Sequence, residues 1–292
     1  MTELRQKMIK AMKLRDLSEN TQKGYLQAVT GLAKHYGMPP DQLSQEMIDD
    51  YWLYLKNDLG RAPKTCGVAK AAFAFFYNDV LGDGQISIKF SIKRNNRKLP
   101  VVLTPEQVWK IINAATNIKH RLLLMTTYSG GLRASEVVVL KPEHLDSKSM
   151  LIKVENGKGS KQRDTLLSEK LLNEMRQYYK RYRPKKWLFP SAQTGKPIWT
   201  RTLYRIYEDA RKKAGVTKGR GPHTLRHCFA SHLLEAGYDI RKIQLLMGHK
   251  SLSSTMIYLH VSRRALSKLK SPVDLFTPEN DGAKEDAHDS DN

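Results

Sequence analysis

Cysteine is scarce: Cys66 and Cys228 are the only two in 292 residues. Two thiols cannot build a disulfide framework, and such usage fits a reducing cytoplasm. No apolar run approaches the roughly 18 residues of a membrane helix; the longest, residues 69–77, is interrupted by Lys70. The first residues carry Glu3, Arg5, Lys7 and Lys10 and lack the apolar stretch of a signal peptide. A phosphate-binding loop needs Gly-Lys followed by Ser or Thr, but Gly157-Lys158 is followed by glycine and Gly195-Lys196 by proline. These absences predict a soluble cytoplasmic protein that uses neither ATP nor a membrane.

Acid is also in short supply. Fifty Lys and Arg face 29 Asp and Glu, for a formal charge of +21. Seven of the acids fall in residues 274–292 beside a single base, Lys284, so residues 1–273 hold 49 bases against 22 acids, a net +27. A field this positive repels itself unless a polyanion accepts it, which makes nucleic acid the leading partner. An anionic membrane surface or a ribosomal neighbour are the alternatives that charge alone leaves open. A nucleic-acid partner extends the expected location to the nucleoid.

Residues 1–87 read as a small helical unit. Ser18 can cap a helix that places Tyr25, Val29, Leu32, Ala33 and Tyr36 on one face, and Pro39-Pro40 ends it. Further helices are expected over 44–59 and 64–81, then a turn at 82–84. Residues 88–99 form a linker in which Lys89, Lys93, Arg94, Arg97 and Lys98 meet no acid, a stretch suited to lie along phosphates. A second unit spans 100–271. Thr104-Pro105-Glu106-Gln107 opens it with a capping box and proline at the first helical position, and helical periodicity continues to about Leu140. Strands are expected at 150–154 and 162–167 around Gly157-Lys158-Gly159. Helices follow at 168–182, 201–214, 224–236, 240–247, 253–260 and 263–270. Residues 272–292 are acidic and poor in apolar side chains, so disorder is expected there. Residues 176–186 interleave six bases with three tyrosines, which suits either phosphate contact or a solvated helix face.

The residues that could carry chemistry are basic, with one tyrosine. Arg133 sits at a turn entering a helix, with Glu136 three residues on and able to hold its guanidinium. Lys158 occupies the hairpin tip. His223 and Arg226 are three apart at a helix start, His249 follows the helix-stopping Gly248, and Tyr258 comes nine residues later. Singly, each has a plain structural reading: a surface arginine or ion pair, a solvated hairpin tip, a helix-end histidine, a core tyrosine. His223, His227, Cys228 and His232 share a metal-like spacing, but no acidic residue between Gly219 and Leu234 completes or orients such a site, and no metal or other cofactor is expected.

Together the set resembles the tyrosine recombinase or phage integrase family, through nearly the whole chain. Gly130-Gly131-Leu132-Arg133-Ala134-Ser135-Glu136 is similar to the family's first arginine motif, Gly157-Lys158-Gly159 to its hairpin lysine, and His223-Thr224-Leu225-Arg226-His227 to its His-x-x-Arg box. Leu246-Met247-Gly248-His249 and Tyr258 are similar to its second histidine and its nucleophile. Cys228 departs from the hydroxyl residue common at that position, a core-facing change expected to be silent. The overall organisation resembles Xer-like and transposon-associated members.

The resemblance implies a mainly α chain with a small antiparallel β-sheet, as a helical SAM-like core-binding domain followed by an α+β catalytic domain. It implies site-specific cleavage and rejoining of double-stranded DNA through a 3′-phosphotyrosyl intermediate, without metal or ATP. Arg133, Arg226 and His249 would stabilise charge on the phosphate, with Glu136 in support. Lys158 would protonate the leaving oxygen, His223 would assist as base, and Tyr258 would attack, its pKa lowered by the surrounding cations. The expected assembly is a C-shaped clamp, four copies on two DNA sites, with residues 263–270 docking on a neighbour or packing on their own domain. A paralogous recombinase or a DNA-bending accessory protein is a further candidate partner. The rival readings are a type IB topoisomerase-like nicking-closing enzyme, and an inactive DNA-binding relative.

Overall fold

The computed structural model describes residues 2–82, 84–92, 99–155, 162–249 and 251–259. The chain divides into two compact units, residues 1–97 and 98–292.

The first unit is helical. Helix α1 (Glu3–Leu14) is followed by α2 (Glu19–Tyr36), α3 (Gln45–Asn57) and α4 (Pro63–Ala74), and α4 runs on as a π-helical turn over Phe75–Leu81. Ser18 and Ser44 cap α2 and α3 by accepting the backbone N–H of Thr21 and Met47. Gly37, at φ 68°, ends α2 just before the two prolines. Helix α1 has no counterpart in the sequence reading, because only Met8 and Met12, four residues apart, become fully buried, while Ile9 and Ala11 pack on the core only in part. The two methionines join Leu32, Ile48, Trp52, Phe73 and Phe76 in this unit's core. Past the helices the chain runs extended, and the alternate residues Ile86, Ile88, Phe90 and Ile92 pack on that core. The Phe90 ring stacks on Trp52 at 4.4 Å.

The second unit opens with α5 (Pro105–Ala114), where the Thr104–Gln107 capping box forms as its spacing predicts. Helix α6 (Ile118–Ser129) is buried from Leu122 to Thr127, so it passes through the core rather than over it, and the Thr126 and Thr127 hydroxyls donate back to the carbonyls of Leu122 and Leu123. The helical periodicity read to Leu140 is broken after Ser129 by Gly130-Gly131, and only a short helix, α7 (Ala134–Val137), resumes. The antiparallel sheet has three strands, β1 (Leu145–Asp146), β2 (Leu151–Val154) and β3 (Arg163–Leu166), in that spatial order. The two-residue β1, added to the expected pair, is too short to leave a period-2 signature. Helices α8 (Glu169–Tyr182), α9 (Thr200–Lys213), α10 (His223–Glu235), α11 (Ile240–Met247) and the short α12 (Ser253–Met256) complete the fold. A mainly helical chain with one small antiparallel sheet is what the sequence implied. Among the described residues, no helix is long and apolar enough to cross a membrane.

Candidate active site

The site is assembled where α6 ends, where α10 starts, and where α11 stops. Gly131 makes the first turn at φ 57°, and a β-carbon there would lie 2.3 Å from the Phe229 ring, so both backbone and space require glycine. Arg133 then stands at the N-cap of α7 and Glu136 at its third position. The Glu136 carboxylate accepts the Arg133 backbone N–H at 2.8 Å and its Nη1 at 2.7 Å. Only 3% of Glu136 is exposed. Burial pushes its carboxyl upward, but hydrogen bonds and charge from Arg163, then from Arg133, outweigh this and hold it at about 2.

Arg163, on β3, was not singled out from the sequence. Its Nη1 and Nη2 donate to the two Glu136 oxygens at 2.9 and 2.7 Å. The buried Arg226, on α10, brings Nη1 to 3.7 Å from the same carboxylate and donates it to the Gly131 carbonyl at 2.5 Å. Burial and then Arg133 pull the Arg226 guanidinium down to about 9, still above neutral pH, so it stays charged.

Helix α11 ends at Gly248, at φ 61°, and its last carbonyls have no acceptor role left inside the helix. Arg226 Nη2 donates to Met247 O at 2.5 Å and Arg133 Nη2 to Gly248 O at 3.2 Å. Both arginines are thereby tied to the residues that lead into His249. The His249 Nδ1 lies 2.9 Å from the hydroxyl of fully buried Thr255; with that hydroxyl donating, the ring proton sits on Nε2 and is free to serve as a donor.

Tyr258 is 2% exposed, packed with Phe229, Leu234, Ile243 and Met247. Its ring lies parallel to that of His249, with centroids 6.5 Å apart, and its hydroxyl meets His227 Nδ1 at 3.0 Å. Burial pushes the phenol up to about 12, and the opposing fields of Arg226 and Arg133 do not cancel it. The sequence reading had the cations lowering this pKa; they do pull that way, but the phenol has lost its water, which sequence cannot show. The side chain that meets the phenol is His227, one turn beyond the exposed His223 on the same face of α10. His227 has no such role in the sequence reading, although the i, i+4 spacing from His223 was visible.

Lys158 lies outside the described residues, as do the expected helix at 263–270 and the acidic tail. Cys228 is fully buried, as its core-facing position implied. His232 contacts the Tyr128 hydroxyl at 2.8 Å and the Leu103 carbonyl at 2.9 Å. Among the described residues no group of three or more His, Cys, Asp or Glu could hold a metal ion.

Two expectations follow from this packing. Gly131→Ala should destabilise the fold by about 3 kcal/mol or more, combining left-handed strain with a clash against Phe229, and should lower the thermal midpoint by several degrees. An unchanged midpoint would contradict the assigned turn. The second concerns pH. Burial holds His227 and His249 at about 4, against 6.5 for a free imidazole, with neighbouring cations adding to the effect. The unfolded chain therefore binds more protons than the folded one between these values. The stability these rings confer is complete above pH 6.5 and is lost as pH falls toward 4, with a slope of up to about 1.4 kcal/mol per pH unit for each ring. Denaturant unfolding at pH 7, 6 and 5 measures it, and His227→Asn should flatten the slope.

Comparison with known proteins agrees with this arrangement. Residues 101–264 match the phage integrase family, and residues 4–86 match a phage integrase N-terminal SAM-like domain. A relative from Sinorhizobium fredii, named as an integrase/recombinase, is 41% identical over 277 residues, covering 94% of this chain and 90% of the relative. The solved structure of XerA recombinase is 28% identical with a TM-score of 0.54, covering 91% of this chain and 95% of that one. The XerH site-specific recombinase bound to its palindromic difH substrate is 21% identical, with a TM-score of 0.70 over 88% of this chain and 81% of that one, a likeness of fold. With more than half of its length matched by the family and one relative alike along nearly all of it, the chain belongs to the phage integrase family and is a tyrosine recombinase.

Proposed function

We propose that this chain cleaves and rejoins double-stranded DNA at specific sites, with Tyr258 as nucleophile and Arg133, Arg226 and His249 gathered on the phosphate. The observation that carries the reading is the joint anchoring of both guanidiniums on the carbonyls just before His249, whose ring lies beside Tyr258. Charge builds on the non-bridging oxygens as the phenol adds, and fixed guanidinium and imidazole donors offset it where it develops. Glu136 holds Arg133 in place. Tyr258 gives its proton to the histidine face of α10, through His223 or the His227 that already contacts it. Lys158 protonates the departing 5′ oxygen. The product is a 3′-phosphotyrosyl bond and a free 5′ hydroxyl, and because the bond energy is retained, rejoining needs no nucleotide.

The two units grip one duplex, and four copies act on two recombination sites, with residues 263–270 docking on a neighbour. A paralogous recombinase or a DNA-bending protein joins them in this proposal, and the chain works in the cytoplasm at the nucleoid. The net +27 of residues 1–273 supports a duplex partner.

A nicked suicide duplex carrying the host site, incubated with the protein in EDTA and without nucleotide, tests the reading. The expected result is a covalent protein–DNA adduct with a free 5′ hydroxyl on the released strand. No adduct means an inactive DNA-binding relative. Relaxation of supercoiled plasmid without any specific site means the topoisomerase-like alternative.

A further inference from the structure

We propose that Arg163 is a positioning residue for strand cleavage, setting Arg133, Arg226 and His249 in register through Glu136 and the end of α11. The inference rests on the cleavage chemistry proposed above.

Strand alternation puts Arg163 and Thr165 on the same face of β3, and Thr165 is fully buried, its hydroxyl donating to the Gly130 carbonyl at 2.8 Å. Arg163 therefore points inward, its side chain 9% exposed. A charge so placed must be paired, and the guanidinium divides its donors between two partners. Its Nη1 and Nη2 fork onto Glu136, and Nε donates to Leu246 O at 2.9 Å. Leu246, Met247 and Gly248 thus each give their carbonyl to a different arginine, Arg163, Arg226 and Arg133 in turn. All three guanidiniums also face the one Glu136 carboxylate.

Arg163 is the member of this set that belongs to neither arginine motif, and it comes five residues after Lys158. It joins β3, the strand that follows Lys158 in sequence, to the helix end that leads into His249. The approach is close: a β-carbon on Gly248 would lie 2.7 Å from Arg163 Cδ. Lysine cannot replace it, because a single ammonium does not reproduce a planar fork with a third donor aimed elsewhere. Removing the fork frees Glu136 to swing Arg133 and frees the α11 end to shift His249, and a displacement near 1 Å costs about 100-fold in rate.

The test compares full-length wild type with Arg163→Lys on the suicide duplex, measuring single-turnover cleavage, DNA affinity and thermal unfolding. Arg163→Lys is expected to stay folded and bind DNA within about two-fold of wild type, yet cleave about 100-fold more slowly. If Arg163→Lys does not fold, Arg163→Gln takes its place: it is uncharged, keeps an amide donor for Glu136 and leaves that carboxylate paired with Arg133 and Arg226; slow cleavage with retained binding is again expected. Cleavage at the wild-type rate by a folded variant overturns the proposal, as does a rate that falls only in step with DNA affinity or folded fraction. A wild-type chain that forms no adduct overturns the cleavage reading itself, and a wild-type adduct with no loss in the variant overturns the role of Arg163 alone.

Discussion

Tyr258→Phe is expected to abolish the covalent protein–DNA adduct while folding and DNA binding persist. The substitution removes one oxygen. The ring keeps its place among Phe229, Leu234, Ile243 and Met247, so the buried apolar area is conserved. What is lost is the contact with His227 Nδ1, worth about 1 kcal/mol. The thermal midpoint should therefore move by only a few degrees. The chemistry has no comparable reserve. At a pKa of about 12, only about one phenol in 10⁵ is ionised at neutral pH, so attack depends on proton removal from this hydroxyl beside the arginine pair. Phenylalanine has nothing to deprotonate and nothing to attack with. A gel of the trapped complex reads the outcome, and an adduct that survives would mean that another side chain attacks.

Lys158→Ala should cut ordinary DNA 10²- to 10⁴-fold more slowly, the usual cost of losing a general acid, and a change of leaving group should restore it. The departing 5′ alkoxide is about as basic as hydroxide, whose conjugate acid has a pKa of roughly 15.7. A thiol leaving group, with a pKa of about 8.5, departs without a proton. On a substrate with sulfur bridging at the 5′ position, Lys158→Ala should therefore approach the wild-type rate. Arg133→Ala should fail on both substrates, because charge on the phosphate must be offset whichever atom leaves. If sulfur rescues neither variant, Lys158 contacts phosphate or base instead of donating the proton. The contrast separates the role of Lys158 from its mere importance.

Local chemistry made much of this legible in the sequence. The Ser18 cap, the Thr104–Gln107 box and the three-residue step from Arg133 to Glu136 are short-range patterns, and the structure forms each of them. Arg163 illustrates what was not legible. An inward charge on a strand is visible only once the register is fixed, and its partner Glu136 lies 27 residues away. The same holds for His227, whose contact with Tyr258 depends on how α10 packs against the segment after α11. The sequence points the Tyr258 shift the other way for a related reason. Composition and motif reveal the cations around a phenol but not the water it has lost, and here desolvation is the larger influence. Helix α1 leaves a faint pattern because two fully buried methionines, with Ile9 and Ala11 only partly buried between lysines, make a narrow stripe.

Whether DNA becomes joined to Tyr258 is measured most directly by the identity of the modified residue. The trapped complex is digested with nuclease and protease, and the nucleotide-bearing peptide is sequenced by tandem mass spectrometry. A 3′-linked nucleotide is expected on the peptide containing Tyr258 and on no other. A nucleotide on any other side chain, or linkage through a 5′ phosphate, would contradict it.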